Sequence, residues 1–332
     1  MKRRVLVTGG AGFVGSHACK ALALAGFEPV AFDSLERGND RSVRWGPLVR
    51  GNVCDRKALL DAFDRHDPVA VLHFAAYAYV GESVDDPALY YRNNVVGTLT
   101  LLEAMREHGC HDVVFSSSCA TYGVPSRSPI SEDETQVPIN PYGRTKLIVE
   151  QILGDMSRAY GTRYVALRYF NAAGADPDGE LGEEHEPETH LLPLIISTAL
   201  GQRAQVAVFG DDYPTPDGTA VRDYVHVSDL ARAHVLALEH LLAGGKSLTL
   251  NLGAGRGHSV REMIAAVERV AGGDVATTIA PRRQGDPPSL IADAARARDV
   301  LGWAPELGID VIVQTAWDWF ASHRPRAFSK DA

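Results

Sequence analysis

Two residues on one predicted helix could exchange a proton with a substrate hydroxyl. Tyr142 and Lys146 stand four positions apart directly after Pro141, and this spacing places the phenol and the ammonium on one helix face, about one turn apart. An isolated phenol has a pKa of about 10 and is a poor base at neutral pH. A lysine cation several ångströms away could contribute roughly 3–4 kcal/mol at an effective dielectric of ~20. The lysine together with a second positive charge at the site could therefore bring the tyrosine pKa near 7, which suits a group that takes and returns a proton.

A run of serines lies shortly before the tyrosine. Ser116 and Ser118 follow Phe115 at the end of an apolar run, and Ser118 precedes Tyr142 by 24 residues. Ligands of a doubly wound sheet bind at the carboxyl ends of its strands. A hydroxyl at this place can hydrogen-bond the same substrate oxygen that Tyr142 deprotonates. The alternative is that Ser118 only caps a turn.

A glycine turn near residue 10 is typical of dinucleotide binding. Gly10, Gly12 and Gly15 satisfy GxGxxG, and Gly9 with Gly12 and Gly15 satisfies GxxGxxG, between the apolar run 5–7 and a predicted helix. Glycine is needed because the turn is tight and the backbone must approach a pyrophosphate at the positive end of the helix. The alternative is a glycine-rich turn without a ligand.

An acid after the second strand favours NAD over NADP. Asp33 stands 18 residues past Gly15, where a carboxylate accepts hydrogen bonds from the adenosine ribose. A negative charge there also repels the extra phosphate of NADP, and Ser34 rather than arginine follows it. Arg37 leaves NADP open as the lesser alternative.

Short apolar runs alternate with longer helical patterns in the first half of the chain. Strands are predicted at 4–8, 28–32, 69–74, 112–116 and 164–169, and helices at 12–25, 56–65, 87–107 and 141–160. The strands are apolar over most of their length, as in a parallel sheet covered on both faces. The succession of strand and helix predicts an α/β fold with a Rossmann-type doubly wound parallel sheet.

The pattern loosens after about residue 170, which predicts a second domain. Segments 172–188 and 210–218 are rich in Gly, Pro and acids, and two further helices, 227–242 and 259–271, surround a predicted strand at 248–252. We expect an NAD-binding domain over residues 1–170 and a smaller C-terminal α/β substrate domain over 171–332. Segments near 225–255 are expected to return to the main sheet.

Composition excludes several classes of function. The 332 residues are 45% hydrophobic and 23% charged, with a net charge of -9, so neither nucleic acid nor an anionic membrane is an expected partner. The apolar run after the basic start at residues 2–4 is far too short for a signal peptide or a membrane span. We expect a cytoplasmic protein.

Neither a disulfide framework nor a metal site is predicted. The four cysteines lack CxxC spacing, and the twelve histidines show no HExxH pattern. Cys119 stands beside the candidate site, and we interpret it as a small buried residue rather than a reactive one.

Motifs spread over residues 3–320 resemble the extended short-chain dehydrogenase/reductases, and within them the UDP-glucose 4-epimerase family. The shared dehydrogenase/reductase motifs lie at 8–17, 73–76, 81–83, 93–98, 116–123 and 142–146. The motifs similar to the epimerases in particular lie at 168–171, 218–224, 251–253 and 281–286. Segments 139–146 and 186–190 are most similar to a bacterial branch associated with exopolysaccharide synthesis.

The resemblance implies a mechanism. Tyr142 would remove the proton of the sugar 4-hydroxyl while C4 gives its hydride to tightly bound NAD, and the 4-keto sugar would turn before the hydride returns to its other face. Lys146 would lower the tyrosine pKa and hold the nicotinamide ribose, and Ser118 would bridge to the 4-oxygen. UDP-galactose and UDP-glucose would thus be interconverted.

The resemblance also implies two sets of binding residues. Those expected around NAD are Gly9, Gly12, Phe13, Val14, Gly15, Asp33, Ser34, Asn52, Val53, Phe74, Ala75, Ala76, Asn93, Ser116, Tyr142, Lys146 and Tyr169. Those expected around the UDP-sugar are Ser118, Tyr142, Asn171, His190, Leu191, Val206, Phe209, Arg222, Arg283, Asp286 and Leu290. Arg222 and Arg283 would pair the diphosphate, because a guanidinium fork fits its oxygens.

Several positions depart from the family pattern. Ala78 stands where a lysine usually contacts the cofactor, Asn52 replaces an acid near the adenine, and His190 replaces an asparagine. Leu290 occupies the position that sets sugar size in the family, where a bulky tyrosine excludes N-acetylated hexoses. Because leucine is intermediate, we expect such sugars to be poor substrates.

Other functions remain open. A UDP-xylose/UDP-arabinose 4-epimerase, or an enzyme with both activities, differs only at C6, which is worth about 1–3 kcal/mol. A nucleotide-sugar 4,6-dehydratase needs two acids after the active-site serine, where Cys119 and Ala120 stand. A non-enzymatic NAD-binding regulator is a third alternative, since a fold does not determine a function. The family usually dimerises through the helices near 87–107 and 141–158, so a homodimer is expected.

Overall fold

The computed structural model describes residues 2–283 and 286–323. Within these ranges the strands are β1 Arg4–Thr8, β2 Glu28–Asp33, β3 Leu48–Arg50, β4 Ala70–His73, β5 Asp112–Ser118, β6 Arg163–Tyr169, β7 Asn171–Ala173, β8 Val206–Phe209, β9 Val221–His226, β10 Leu248–Leu252, β11 Gly257–Ser259, β12 Thr277–Ala280 and β13 Ser289–Leu290. The helices are α1 Phe13–Leu24, α2 Arg56–His66, α3 Val80–Asp85, α4 Pro87–Tyr90, α5 Gly97–His108, α6 Pro141–Tyr160, α7 Leu191–Ala199, α8 Val227–Leu242, α9 Val260–Ala271, α10 Ala295–Leu301 and α11 Ile309–Ser322.

Seven parallel strands form the central sheet, in the order β10-β6-β5-β4-β1-β2-β3. The order reverses between β1 and β4, since the chain builds outward from β1 through β2 and β3 and then from β4 in the opposite direction. Such a switch point opens a crevice at the carboxyl ends of the strands. The predicted doubly wound parallel sheet is confirmed.

Helices cover both faces of this sheet, and successive residues of β1 show why. Val5 and Val7 are fully buried in one apolar cluster with α1 and α8, whereas Leu6 is buried in the opposite cluster with α2, α5 and α6. Alternate side chains of a strand point to opposite faces. A strand with both faces covered must therefore be apolar throughout, as the sequence of β1 is.

The single helix predicted over 87–107 is wrong in detail. Helix α4 is followed by a π-helical segment, Tyr91–Val96, before α5 begins at Gly97. The apolar pattern continues through the wider turn, so periodicity alone does not reveal it. The turn buries Asn94, whose amide donates to the Thr145 hydroxyl on α6 at 3.1 Å. Single-turn π segments are frequent at functional sites.

Beyond residue 170, some elements pack on the central sheet and others form separate small sheets. Strand β10 pairs in parallel with β6 at the edge of the central sheet, and α8 packs on α1. The remaining strands form two small sheets, β11-β9-β13 with β7 beside β9, and β12-β8. Helices α7, α9 and α11 pack around a separate apolar cluster. The proposed domain boundary at residue 170 stays a prediction.

In the part of the chain that the structure describes, no helix combines the length and the apolar character needed to span a membrane.

Candidate active site

The start of α6 is held close to the end of β5. Asn140 caps the helix, since its side chain accepts the Gly143 N–H at 2.8 Å, and Pro141 occupies the first turn. A Cβ at Gly143 would lie 2.4 Å from the carbonyl oxygen of Ala120, so only glycine permits this approach. The contact brings Tyr142 next to Ser118 at the carboxyl end of β5.

Lys146 is buried beneath the tyrosine. Its side chain is almost inaccessible, and its Nζ donates to the Ser116 carbonyl oxygen at 2.7 Å. Nζ also lies 5.8 Å from the centroid of the Tyr142 ring. Burial lowers the lysine pKa to about 7, although Glu150 opposes the shift. The charge of this ammonium therefore depends on what the site contains.

Burial dominates the pKa of the Tyr142 phenol. Desolvation raises the pKa and Tyr169 raises it further, while the neighbouring Ser118 hydroxyl opposes the rise. The lysine effect expected from the sequence does not outweigh burial, because Lys146 is itself desolvated and donates to a carbonyl. Lowering the tyrosine pKa to neutrality requires another positive charge close to the ring.

Ser118 and its neighbours form a row of hydroxyls at the strand end. Ser118 is 8% exposed, and its oxygen accepts the Ala120 N–H at 3.2 Å. The Ser116 hydroxyl and the Tyr169 phenol are 2.6 Å apart. Ser118 thus caps the turn, as the alternative interpretation had it, and its hydroxyl nevertheless lies beside the Tyr142 phenol.

A buried ion pair supports this arrangement, and the sequence interpretation missed it. Glu150 lies one turn after Lys146 on the same face of α6, and its carboxylate accepts from Arg168 of β6 and from the Ser117 hydroxyl. Both charged side chains are 7% exposed. The sequence does contain one sign of it: polar residues repeat at 142, 146 and 150. This spacing places the Glu150 carboxylate on the same inward helix face as Tyr142 and Lys146.

The glycine turn leaves the start of α1 open. Gly9 has φ +72°, and a Cβ at Gly15 would lie 2.1 Å from the Gly9 carbonyl oxygen. Gly12 precedes the helix and offers no side-chain cap to the first-turn N–H groups. Uncapped N–H groups at the positive end of a helix bind anions. Phe13 and Val14 are the first two residues of α1, as the dinucleotide interpretation requires.

Asp33 is fixed at the carboxyl end of β2. Its two carboxylate oxygens accept the N–H groups of Ala11 and Leu35, each at 2.9 Å. Burial raises its pKa, and these two hydrogen bonds oppose the shift. Nearby Arg37 donates to Glu82 at 2.6 Å, so the residue that kept NADP open already has an anionic partner.

A cavity of about 590 Å³ adjoins the expected adenine end of the cofactor site, and Asn52 and Asn93 are among its lining residues. Asn52 donates to Glu36 at 3.3 Å. Val53, the next residue along the chain, is buried. Asn52 and Asn93, two of the residues expected around NAD, therefore line the same cavity.

The residues expected around the UDP-sugar come from separate segments that the small sheets bring together. Arg222 on β9 forms an ion pair with Asp286, and the Arg283 guanidinium lies 4.1 Å from the centroid of the Phe209 ring. Leu290 pairs with Arg222 in register. Gln284 and Gly285 of the same motif lie outside the described residues.

Other expected residues occupy the ends of neighbouring elements. Asn171 begins β7 beside Tyr224, Val206 begins β8, and His190 precedes Leu191 at the start of α7. Leu290 packs on an apolar cluster that contains Cys119. It thereby connects Arg222 to the segment after Ser118.

The surroundings of Cys119 do not favour a reactive thiolate. It is buried, and burial raises the pKa of its thiol to about 12. A neutral thiol is inert at physiological pH, which agrees with its interpretation as a small buried residue.

A parallel sheet with a switch point, an uncapped glycine turn and an acid after β2 define a Rossmann-type dinucleotide-binding protein. The family described as the NAD dependent epimerase/dehydratase family matches residues 5–253, and the chain belongs to it.

Its relatives are similar over nearly the whole chain. The UDP-glucose 4-epimerase of Rhizobium leguminosarum bv. trifolii is 54% identical over 317 residues, covering 96% of this chain and 97% of that protein. The structure of the UDP-glucose 4-epimerase from Brucella ovis in complex with NAD has a TM-score of 0.94 at 57% identity, covering 96% and 98% of the two chains. The structure of UDP-glucose-4-epimerase from Stenotrophomonas maltophila, with bound NAD and formylated UDP-arabinopyranose, has a TM-score of 0.93 at 42% identity, covering 96% and 98%.

Proposed function

We propose that the protein interconverts UDP-galactose and UDP-glucose by inverting C4 of the sugar on tightly bound NAD. The observation that carries the proposal is the convergence of Ser118, Tyr142 and Lys146 at the carboxyl end of β5, beside the switch point of the sheet. Near-full-length similarity to UDP-glucose 4-epimerases supports the same activity.

The residues of the glycine turn fit NAD. The uncapped first turn of α1 suits the pyrophosphate, and the Asp33 carboxylate, held by two backbone N–H groups, suits the adenosine ribose. The engagement of Arg37 with Glu82 disfavours the additional phosphate of NADP. These residues would hold NAD, which would supply a reversible acceptor for the C4 hydride.

Tyr142 moves the proton. Its phenolate oxygen takes the proton of the sugar 4-hydroxyl and later gives it back to the 4-keto oxygen, while the Ser118 hydroxyl hydrogen-bonds that oxygen in both states. A unit positive charge about 6 Å away contributes roughly 3 kcal/mol at an effective dielectric of ~20, or about two units of tyrosine pKa. Lys146 protonated at this distance therefore assists, and oxidised NAD would supply the second positive charge that burial of the phenol makes necessary.

The UDP group must be held firmly and the sugar loosely, because the 4-keto sugar has to present both faces. Arg222 and Arg283 suit the diphosphate, and Phe209 suits the uracil. Arg222 would exchange its ion pair with Asp286 for phosphate oxygens, which leaves that carboxylate to accept from the uridine ribose. Asn171, His190, Leu191, Val206 and Leu290 complete the proposed nucleotide-sugar site.

A pentose activity is the second candidate. The relative from Stenotrophomonas maltophila holds a formylated UDP-arabinopyranose in its structure, and a missing hydroxymethyl group at C6 is worth only about 1–3 kcal/mol of discrimination. Turnover of UDP-galactose compared with UDP-xylose separates the two activities. The dehydratase stays disfavoured, because the neutral Cys119 thiol and Ala120 follow Ser118 and neither can expel water as an acid.

We further propose a homodimer that forms through the helices near 87–107 and 141–158. Apolar side chains are exposed along the first of these segments and just before it, with Val84 61%, Val96 53% and Leu99 38% accessible. Light scattering at micromolar concentration tests the dimer, and a monomer would contradict it. The cytoplasmic location and a role in exopolysaccharide synthesis stay predictions.

The activity is tested by incubating purified protein with UDP-galactose, without added NAD, and analysing the sugars. Formation of UDP-glucose supports the proposal. A change in cofactor absorbance on adding UDP-galactose argues against a non-enzymatic regulator. Absence of UDP-glucose with NAD present in the protein would refute the epimerase activity.

A further inference from the structure

Four potential metal ligands converge in the segment before α7. Glu183, His185, Glu188 and His190 each direct one donor atom to a common point, and the four atoms lie within 4.8 Å of one another. The Nδ1 atom of His185 is 3.1 Å from a Glu183 oxygen and 3.7 Å from a Glu188 oxygen. The Nδ1 atom of His190 is 3.5 Å from the other Glu188 oxygen and also contacts Glu183.

Three of these four separations lie near those around a tetrahedral ion, and the His190–Glu183 contact is shorter. Zinc bonds to imidazole nitrogen and carboxylate oxygen are about 2.0–2.1 Å long, so ligand atoms at tetrahedral angles lie about 3.3 Å apart. An ion at the centre of the cluster would require the His190 and Glu183 donor atoms to move apart.

The charge of the cluster also calls for a cation. The Glu183 and Glu188 side chains are only 4% and 2% exposed, and buried carboxylates are costly unless they are paired. In the part of the chain that the structure describes, the ion pairs of both carboxylates are made with His185 and His190, and no lysine or arginine takes part. The two imidazoles are the available partners: burial lowers the pKa of His185, but Glu183 and Glu188 raise it to about 10. A metal ion that binds here would therefore replace imidazole protons.

A neighbouring cluster shows the contrast. Asp176, Asp178 and Glu180 lie on the same loop and also converge. There the Lys20 ammonium occupies the centre, at 2.8, 2.7 and 2.9 Å from the three carboxylates. The cluster of Asp176, Asp178 and Glu180 is thus filled by a lysine. The cluster before α7 instead contains two imidazoles, which can bind a metal.

We propose that Glu183, His185, Glu188 and His190 bind one divalent transition-metal ion, with zinc as the best fit. Two imidazole nitrogens favour zinc, cobalt or nickel over calcium and magnesium, which take oxygen ligands. Four protein ligands leave no open position, so the ion is structural rather than catalytic. His190 would bind it through Nδ1, which leaves its Nε2 atom for the proposed nucleotide-sugar site. The four residues form the compact sequence pattern Glu-x-His-x-x-Glu-x-His, which does not contain HExxH.

The ion would tie three parts of the molecule together. His190 precedes the first residue of α7, and the His185 ring stands edge-on to Phe13, the first residue of α1, and to Tyr79. Binding would therefore fix the loop against the glycine turn and set the start of α7. This inference concerns folding and metal content, so it is tested separately from the proposed epimerase activity.

Metal content of the untagged full-length protein, purified without chelators, is the first measurement. We expect about one zinc per chain after dialysis, and a lower melting temperature once a strong chelator has removed it. Cobalt added to the stripped protein should give the visible bands of four-coordinate Co²⁺, and zinc should abolish them.

Two variants identify the ligands. His185→Gln and Glu188→Gln should lower the affinity for zinc about tenfold or more, since even outer-shell partners are worth 10–100-fold. The controls His111→Gln, at an exposed position, and Asp178→Asn, in the cluster that Lys20 fills, should keep the wild-type metal content. Circular dichroism checks that all four variants fold.

Three results would overturn the proposal. The first is a protein purified without metal that shows neither cobalt bands nor a rise in melting temperature on adding about 100 µM zinc. The second is retention of the metal by both ligand variants. The third is equal loss of metal from the two controls.

Discussion

The Nζ atom of Lys146 donates a hydrogen bond to the carbonyl oxygen of Ser116 at 2.7 Å. This contact ties helix α6 to the end of β5, the strand that carries Ser118. It also explains why the lysine alone does not activate Tyr142, because the ammonium is buried and its direct partner is a carbonyl rather than the phenol.

The depressed pKa of Lys146 predicts how stability changes with pH. The folded-state pKa is about 7 and the unfolded value is about 10.4, so folding disfavours the charged form. The cost is fully present below pH 7 and disappears as the pH rises through the unfolded value. Lys146→Met should therefore stabilise the protein by a few kcal/mol at pH 6 and by much less at pH 10.5.

Urea unfolding at the two pH values measures this difference. The matched control is Lys57→Met, because that lysine is exposed on α2, and its effect should be small at both pH values. An effect of Lys146→Met that did not change with pH would contradict the account.

Glu150 is predicted to be a positioning residue. Removing its charge leaves the Arg168 guanidinium buried without its carboxylate partner, so Glu150→Gln should destabilise the fold by about 3–5 kcal/mol. Glu150 also raises the pKa of Lys146, so the variant should move the alkaline limb of the kcat–pH profile to lower pH. Arg158→Ala, which breaks an exposed ion pair, should change stability by less than about 0.5 kcal/mol. An unshifted pH profile would indicate a purely structural role.

Gly15→Ala tests the cofactor turn. The added Cβ would meet the Gly9 carbonyl oxygen at 2.1 Å, and neither backbone segment can move without opening the turn. We expect the amount of NAD that copurifies with the protein to fall at least tenfold, measured by absorbance after denaturation. Gly273→Ala, where a Cβ meets nothing within 4 Å, is the control and should retain NAD. Full NAD content in Gly15→Ala would contradict the assignment of this turn.

Regular elements with one dominant pattern were predictable from the sequence. The strand at 4–8 and the helix at 141–160 have the predicted bounds in the structure. A buried parallel strand and an amphipathic helix each give a clear pattern of apolar residues in the sequence. The π-helical segment Tyr91–Val96 was missed, since a wider turn continues the helical pattern. Three-residue β3 was also missed, because so short a strand has no period.

Part of the candidate site was equally visible in the sequence. Tyr142 and Lys146 are close in the chain, and Ser118 ends a strand, so local spacing indicated their arrangement. The Arg168–Glu150 and Arg222–Asp286 pairs join residues 18 and 64 positions apart. Only the packing of separate elements reveals such pairs. The same holds for the contact between Glu183 and His190.

The most direct test of the account is the rate of C4 inversion in Tyr142→Phe. Removing the hydroxyl leaves the ring and the α6 packing in place, so NAD content and the melting temperature should stay close to those of the wild type. We predict that conversion of UDP-galactose to UDP-glucose falls by about 10²–10⁴-fold, the usual contribution of a general base. Inversion at the wild-type rate, with NAD bound, would contradict the central claim that this phenol moves the proton.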